Sequence, residues 1–169
     1  LICQEIKNLV WEVRERPVPG DNEALLKIKT VGLCGTDIHA WAGNQPFFSY
    51  PRVLGHAICG EIIDSGKNIH NFNIGKQVAV IPYISCQQCP ACKSGRTNCC
   101  EKISVIGVHQ DGGFSEYLSV PVANILHADG IDPQAAAFIE HFAIRAHALH
   151  CVASSPTAPT LVCGPGTLG

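Results

Sequence analysis

Four cysteines, Cys86, Cys89, Cys92 and Cys100, stand at C-x2-C-x2-C spacing with seven residues before the last. Four thiolates on one short lobe suit a closed tetrahedral zinc site that leaves no position for a substrate. Pro90 and Gly95 supply the turn residues that let successive sulfurs face inward. Cys99 is the alternative fourth ligand, although its side chain points away if that of Cys100 points in. Three other chemistries compete for the same residues. An iron–sulfur cluster opens with similar spacing, but the bacterial run closes after three residues and adds a Pro. Disulfides would have to join cysteines that pair poorly across so short a loop. Unligated buried thiols would sit oddly among Lys93, Arg96 and Lys102, which mark an exposed lobe.

A second set of chemistry-bearing residues lies outside that lobe. Cys34 and His56 each stand beside a glycine, near a predicted strand end. Glu140, Ile144, His147 and Cys151 recur at helical spacing, so one helix face carries a carboxylate, an imidazole and a thiol. A metal held by Cys34, His56 and Glu140 is one reading. The other is a buried thiol acting as a small apolar side chain, with a His and a Glu satisfied by ordinary hydrogen bonds. Gly164, Gly166 and Gly169 form a G-x-G-x-x-G run behind the apolar stretch Thr160–Cys163, where a dinucleotide-binding turn would sit.

The elements that must position these residues are mostly short strands. Residues 1–19 predict a β-hairpin arm in which Leu9, Trp11 and Val13 alternate as a half-buried face. A second strand runs over 24–33 into Cys34, and Thr36 is placed to cap a short helix through Trp41. Phe47, Phe48 and Tyr50 make an aromatic loop, either packing on itself or walling a substrate pocket. Strands are expected from His56 to Asp64, from Gln77 to Ile81 and over 103–108, and Asp111-Gly112-Gly113 signals a hairpin returning through 114–120. These turn-bounded strands predict a mainly β, barrel-like domain. Asp132-Pro133 then opens a helix extending through Val152, followed by a linker over 154–159. The division is therefore residues 1–153 as one domain and 154–169 as a linker and the first strand of another.

Composition sets outer limits. At 169 residues the chain holds one domain and at most a fragment of a second. Hydrophobic residues make up 46%, enough for a core, while net charge −2 and the lack of a basic stripe argue against nucleic acid as a partner. No apolar run approaches a membrane span, and the start lacks a secretory pattern. Ten cysteines in that setting suit a reducing, cytoplasmic compartment where thiols bind metal. Leu1 opens the chain and no Met occurs in it, as expected of a processed, trimmed or engineered chain.

Taken together, the motifs resemble the N-terminal half of zinc-dependent medium-chain alcohol and polyol dehydrogenases, across nearly the whole chain. Cys34-Gly35-Thr36-Asp37-Ile38-His39 is similar to the family's Cys-Gly-Thr/Ser-Asp-x-His segment, and Gly55-His56 with Gly60 to its Gly-His-Glu-x-x-Gly motif. The cysteine lobe, the helix with Glu140 and the glycine-rich ending find counterparts as well, most closely in the sorbitol-, threonine- and galactonate-type branch. The resemblance implies a GroES-like catalytic domain followed by a Rossmann domain. It also implies a catalytic zinc on Cys34, His56 and Glu140, a structural zinc on the four cysteines, and NAD or NADP as hydride acceptor. Zinc would act as a Lewis acid on the oxygen of an alcohol or polyol substrate. Thr36 and His39 match the positions of the proton relay, and Gly164, Gly166 and Gly169 those of the dinucleotide fingerprint. A homo-oligomer is part of the same implication.

The departures from that family are specific. Ala57 stands where the family has Glu, His141 where it usually has Pro, and Arg145 where it has a small residue. His141 is a candidate substitute ligand, although one step along a helix turns a side chain by about 100° from Glu140. With only the first strand of a dinucleotide domain within its 169 residues, this chain by itself is expected neither to bind NAD tightly nor to turn over. Two function classes follow. One is a zinc-dependent NAD(P)-linked oxidoreductase acting on a secondary alcohol of a polyol or sugar acid. The other is a non-catalytic, zinc-stabilised GroES-like module.

Overall fold

The computed structural model describes residues 1–70, 72–152, 161, 163 and 164. In chain order the strands and helices are β1 (Ile2–Glu5), β2 (Asn8–Val10), β3 (Glu23–Gly32), α1 (Gly35–Ala42), β4 (Arg52–Val53), β5 (Ala57–Ser65), β6 (Gln77–Val80), β7 (Tyr83–Ile84), α2 (Pro90–Lys93), β8 (Ser104–Val105), β9 (Tyr117–Pro121), β10 (Ile125–His127), α3 (Pro133–Ala137) and α4 (Ile139–Val152). The fold is mainly β with a few helices, as the turn-bounded strands predict. Its centre is a five-stranded sheet in the order β10-β6-β5-β3-β9, antiparallel throughout.

The two faces of that sheet are built from different residues. Along β5 and β6 the side chains alternate, so Ile58, Val78 and Val80 join Leu26, Ile62, Val120 and Ile125 in the main core. Each large aliphatic side chain buried there stabilises the fold by roughly 1.5–3 kcal/mol. The opposite face carries Cys59 and Ala79, which pack against Ala128, Ala136 and Ala137. Small residues on both sides let α3 lie close to the sheet. Asp132 caps α3 by accepting from the N–H groups of Gln134 (3.0 Å) and Ala135 (3.2 Å), with Pro133 at the first helical position. The helix predicted from 133 to 152 is broken at Phe138, whose amide is shared between the carbonyls of Gln134 and Ala135. α4 restarts immediately afterwards, packs against β5 and keeps Glu140 and His141 buried.

Three other expectations change, and a fourth, the aromatic loop, resolves in part. The N-terminal hairpin is present, but it ends at Val10, and Trp11 and Val13 are 86% and 101% exposed. Val10 pairs with Ile2, so residues 11–14 run past the start of β1 and find no partner strand there. Asp111-Gly112-Gly113 does not turn a hairpin. β8 pairs with β7, and β9 crosses to β3. The glycine segment instead lies against residues 53–55, where Gly112 N–H donates to Val53 O and Gly113 N–H to Gly55 O, both at 2.8 Å. A Cβ on Gly112 would stand 2.2 Å from Gly55 O, so the two backbones can meet only through glycine. The helix after Cys34 is capped by Cys34 rather than Thr36, which lies inside its first turn. Of the aromatic loop, Phe48 and Tyr50 pack edge-to-face at 4.8 Å in a small cluster with Cys3, Ala40 and Leu54, while Phe47 is exposed.

The expected division at 153/154, and Gly166 and Gly169, lie outside the described residues. Within the predicted strand over 160–163, the described Leu161 and Cys163 are exposed, and Gly164 adopts φ 74°. Among the described residues no helix is long and apolar enough to cross a membrane.

Candidate metal centres

The cysteine lobe is a closed thiol cage. The Sγ atoms of Cys86, Cys89, Cys92 and Cys100 all lie within 4.8 Å of one another. A tetrahedral zinc with bonds near 2.3 Å separates its sulfurs by about 3.8 Å, so one ion fits with little adjustment. The same spacing leaves no room for several irons between the sulfurs. The ten cysteines are all free thiols, and Cys86 Sγ and Cys92 Sγ stand 4.0 Å apart, so the disulfide reading fails. Cys99 is exposed and Cys100 buried, which settles which of the two faces the cage.

Local backbone explains the geometry. α2 begins at Pro90 with Cys89 as its N-cap, and a single turn brings Cys92 back beside Cys86. Amides point at the sulfurs: Cys89 N–H donates to Cys86 Sγ (3.4 Å), and the N–H groups of Cys86 (3.3 Å) and Lys102 (3.4 Å) donate to Cys100 Sγ. Backbone amides of Gln88 and Cys89 pull the Cys86 thiol down to about 6. Burial, together with the neighbouring sulfurs, pushes Cys92 up to about 12. Four sulfurs so close cannot all ionise unaided, and a bound cation removes that conflict.

The second set converges at the end of the sheet where β3 stops and β5 starts, Gly32 pairing with Ala57. Cys34 lies two residues beyond β3 and caps α1, His56 immediately precedes β5, and Glu140 and His141 lie in the first turn of α4. Asp37 ties the first two together. Its buried carboxylate accepts from the N–H of Cys34 and from the N–H of Gly55, each at 2.9 Å, and stands 3.8 Å from His56 Nδ1. Gly55 holds φ 92°, and a Cβ there would lie 2.8 Å from Val31, so the approach to His56 requires glycine. In the sequence Asp37 stands only as one position of the Cys34–His39 segment. The signal was available, since an acid three residues after a helix N-cap is capping-box spacing.

The electrostatics of this group are mutual. Hydrogen bonding with the His56 ring is the largest influence on the Cys34 thiol and outweighs burial, bringing it down to about 6 with help from the Thr36 backbone and His141. Burial pushes His56 down, but Cys34, Asp37 and Glu140 together outweigh it and raise its pKa. Tyr83 Oη donates to Glu140 Oε1 at 2.5 Å. No sequence signal marks that contact, which spans 57 residues. Burial and the Glu140 carboxylate push the Tyr83 hydroxyl upward. Replacing Tyr83 with Phe removes the donor and leaves the buried Glu140 oxygen without it. We expect urea denaturation to show a loss of about 1.5–3 kcal/mol, the range for a hydrogen bond to a charged group, and a change within 0.5 kcal/mol, the order expected at an ordinary surface site, would contradict this role.

Three buried atoms in this neighbourhood lack hydrogen-bond partners: His56 Nδ1, Glu140 Oε2 and His141 Nδ1. Unsatisfied buried polar atoms are costly, and a thiolate, imidazoles and a carboxylate form a donor set suited to zinc. The residues therefore fit a metal chemically. Among the described residues, though, the four-cysteine cage is the group whose ligand atoms all stand within 4.8 Å of each other, and Cys34, His56 and Glu140 do not form such a group. The helical face predicted from Glu140 to Cys151 splits, with Glu140 buried and the His147–Cys151 pair, 3.6 Å apart, exposed. Thr36 is half-buried and His39 exposed, one turn apart on α1.

Residues 20–130 match the alcohol dehydrogenase GroES-like domain family. The chain is 76% identical over 169 residues to L-galactonate-5-dehydrogenase of Escherichia coli strain K12, covering all of this chain and 50% of that protein. Among solved structures, galactitol-1-phosphate dehydrogenase from Escherichia coli superimposes with a TM-score of 0.83 at 31% identity, over 89% of this chain and 44% of that one. A short chain alcohol dehydrogenase from E. coli CFT073, complexed with NADH, superimposes with a TM-score of 0.81 at 38% identity, over 86% of this chain and 42% of that one. The chain thus spans about half the length of the curated relatives it matches.

Proposed function

We propose, from the premise that this chain belongs to the alcohol dehydrogenase family with a GroES-like domain, that it is the metal-binding catalytic part of an NAD(P)-linked oxidoreductase. Its substrate class is a polyol or sugar acid oxidised at a secondary alcohol, a reading supported by the 76% identity to an L-galactonate-5-dehydrogenase. The observation that carries it is the convergence of buried, partly unsatisfied donors on Cys34 at the end of the sheet. When bound there, zinc supplies Lewis acidity toward an alcohol oxygen. The chain's own residues do the rest. Asp37 holds the Cys34 and His56 loops in register. Tyr83 orients Glu140. Thr36 and His39 are assigned the outward passage of the alcohol proton, one near Cys34 and the other at the surface. Residues 1–153 form the metal-binding domain, and 154–169, with Gly164, Gly166 and Gly169, begin a dinucleotide-binding domain.

The four cysteines are assigned a structural zinc. A second reading, a zinc-stabilised module without chemistry, is favoured by the wider separation of the Cys34 donors compared with the cage. Elemental analysis of protein purified in metal-free buffer separates the two. We expect two zincs per chain, falling to one in Cys34→Ser. A single zinc that survives Cys34→Ser and is lost in Cys89→Ser would overturn the catalytic reading.

A further inference from the structure

His141 is 3% exposed, yet its Nδ1 has no hydrogen-bond partner. That atom stands 3.1 Å from Glu140 Oε2, close enough for an ion pair but wrongly oriented for a hydrogen bond. The ring lies nearly parallel to that of His56, 15° off with centroids 6.4 Å apart, and tilts against Phe138 at 5.2 Å. Adjacent residues on a helix diverge by about 100°, yet Glu140 and His141, both in the first turn of α4, are both buried. Ala57, directly after His56, offers no donor atom. This buried imidazole stands beside a carboxylate and a second imidazole, and its Nδ1 makes no hydrogen bond.

We propose that His141 is a metal ligand, a fourth protein donor beside Cys34, His56 and Glu140. This rests on the reading that a metal sits at Cys34 and deepens it. With four protein donors an alcohol oxygen would reach the metal as a fifth ligand or in place of one of them.

The test uses the full chain, titrated with zinc against a chromophoric chelator and with Co²⁺ for its visible spectrum. Slow amide exchange in β3 and β5, measured on each variant, serves as the internal check on folding. His141→Ala is expected to weaken binding at the Cys34 site by more than the ~10–100-fold lost with an outer-sphere partner. It should also change the Co²⁺ ligand-field bands, with His141→Gln as the variant that preserves bulk. If both variants bind as tightly as the parent with an unaltered spectrum, while Cys34→Ser abolishes binding, His141 is not a ligand and the metal at Cys34 stands. If Cys34→Ser and His56→Ala leave stoichiometry unchanged, the underlying reading fails and the inference with it.

Discussion

Replacing Cys89 with Ser will melt the cysteine lobe while leaving the five-stranded sheet folded. The reason lies in what the lobe contains. Its internal cluster consists of the four cysteines with Ala91 and Ile103, and it has no aliphatic core of its own. Its helical segments, Pro90–Lys93 and Thr97–Cys99, are far too short to persist unaided. Structural zinc contributes roughly 10–16 kcal/mol in small zinc-finger peptides, and an ion in this cage would hold a segment with little else to hold it. The main core, built from residues such as Leu26, Ile58, Ile62 and Val78, does not depend on the metal. Lys93, Arg96 and Lys102 are exposed and supply tryptic sites within the lobe. Limited trypsinolysis of Cys89→Ser, or of the parent treated with a strong chelator, should therefore cut at those residues at least about tenfold faster. Amide exchange in β3, β5 and β6 should stay slow. A zinc-free lobe that resists trypsin like the parent would contradict this account. So would global unfolding, because it would make the sheet depend on the metal.

The second large effect is expected at Asp37. This carboxylate is 1% exposed and accepts from two backbone N–H groups in different segments, Cys34 and Gly55. Asp37→Ala leaves both donors without their acceptor at the centre of the site. Each buried orphan costs about 1–3 kcal/mol, so the loss should be roughly 2–6 kcal/mol. Against a typical total of about 5–15 kcal/mol that is severe. Asp37→Asn keeps one acceptor oxygen and sets an NH₂ against the other amide, so its loss should be intermediate or similar, never negligible. Urea denaturation measures both. A loss below about 1 kcal/mol for Asp37→Ala would show that water or a neighbour replaces the carboxylate. Because Asp37 joins the loops carrying Cys34 and His56, the same variant should also weaken metal binding at Cys34 while leaving zinc in the cysteine cage.

These two predictions also show how differently the sites are written into the chain. The cage was legible because its ligands lie within fifteen residues. Short-range spacing alone fixes what sulfurs can reach, and the resemblance to the dehydrogenase family rests on motifs equally local. The mainly β fold was legible for a similar reason, since turn residues and alternation are local. Strand pairing was not. The expected 103–120 hairpin and the actual pairing of β9 with β3 differ by a choice among distant partners, and that choice was made where the Gly112–Gly113 backbone meets Gly55.

The sequence by itself determined the donor types, the cysteine geometry and the family. The tertiary structure decided that Asp37 staples two loops and that Tyr83 holds Glu140. Each of these depends on segments far apart in the chain being brought within hydrogen-bonding distance by packing of the sheet against α3, and no local pattern of residues encodes such a distance.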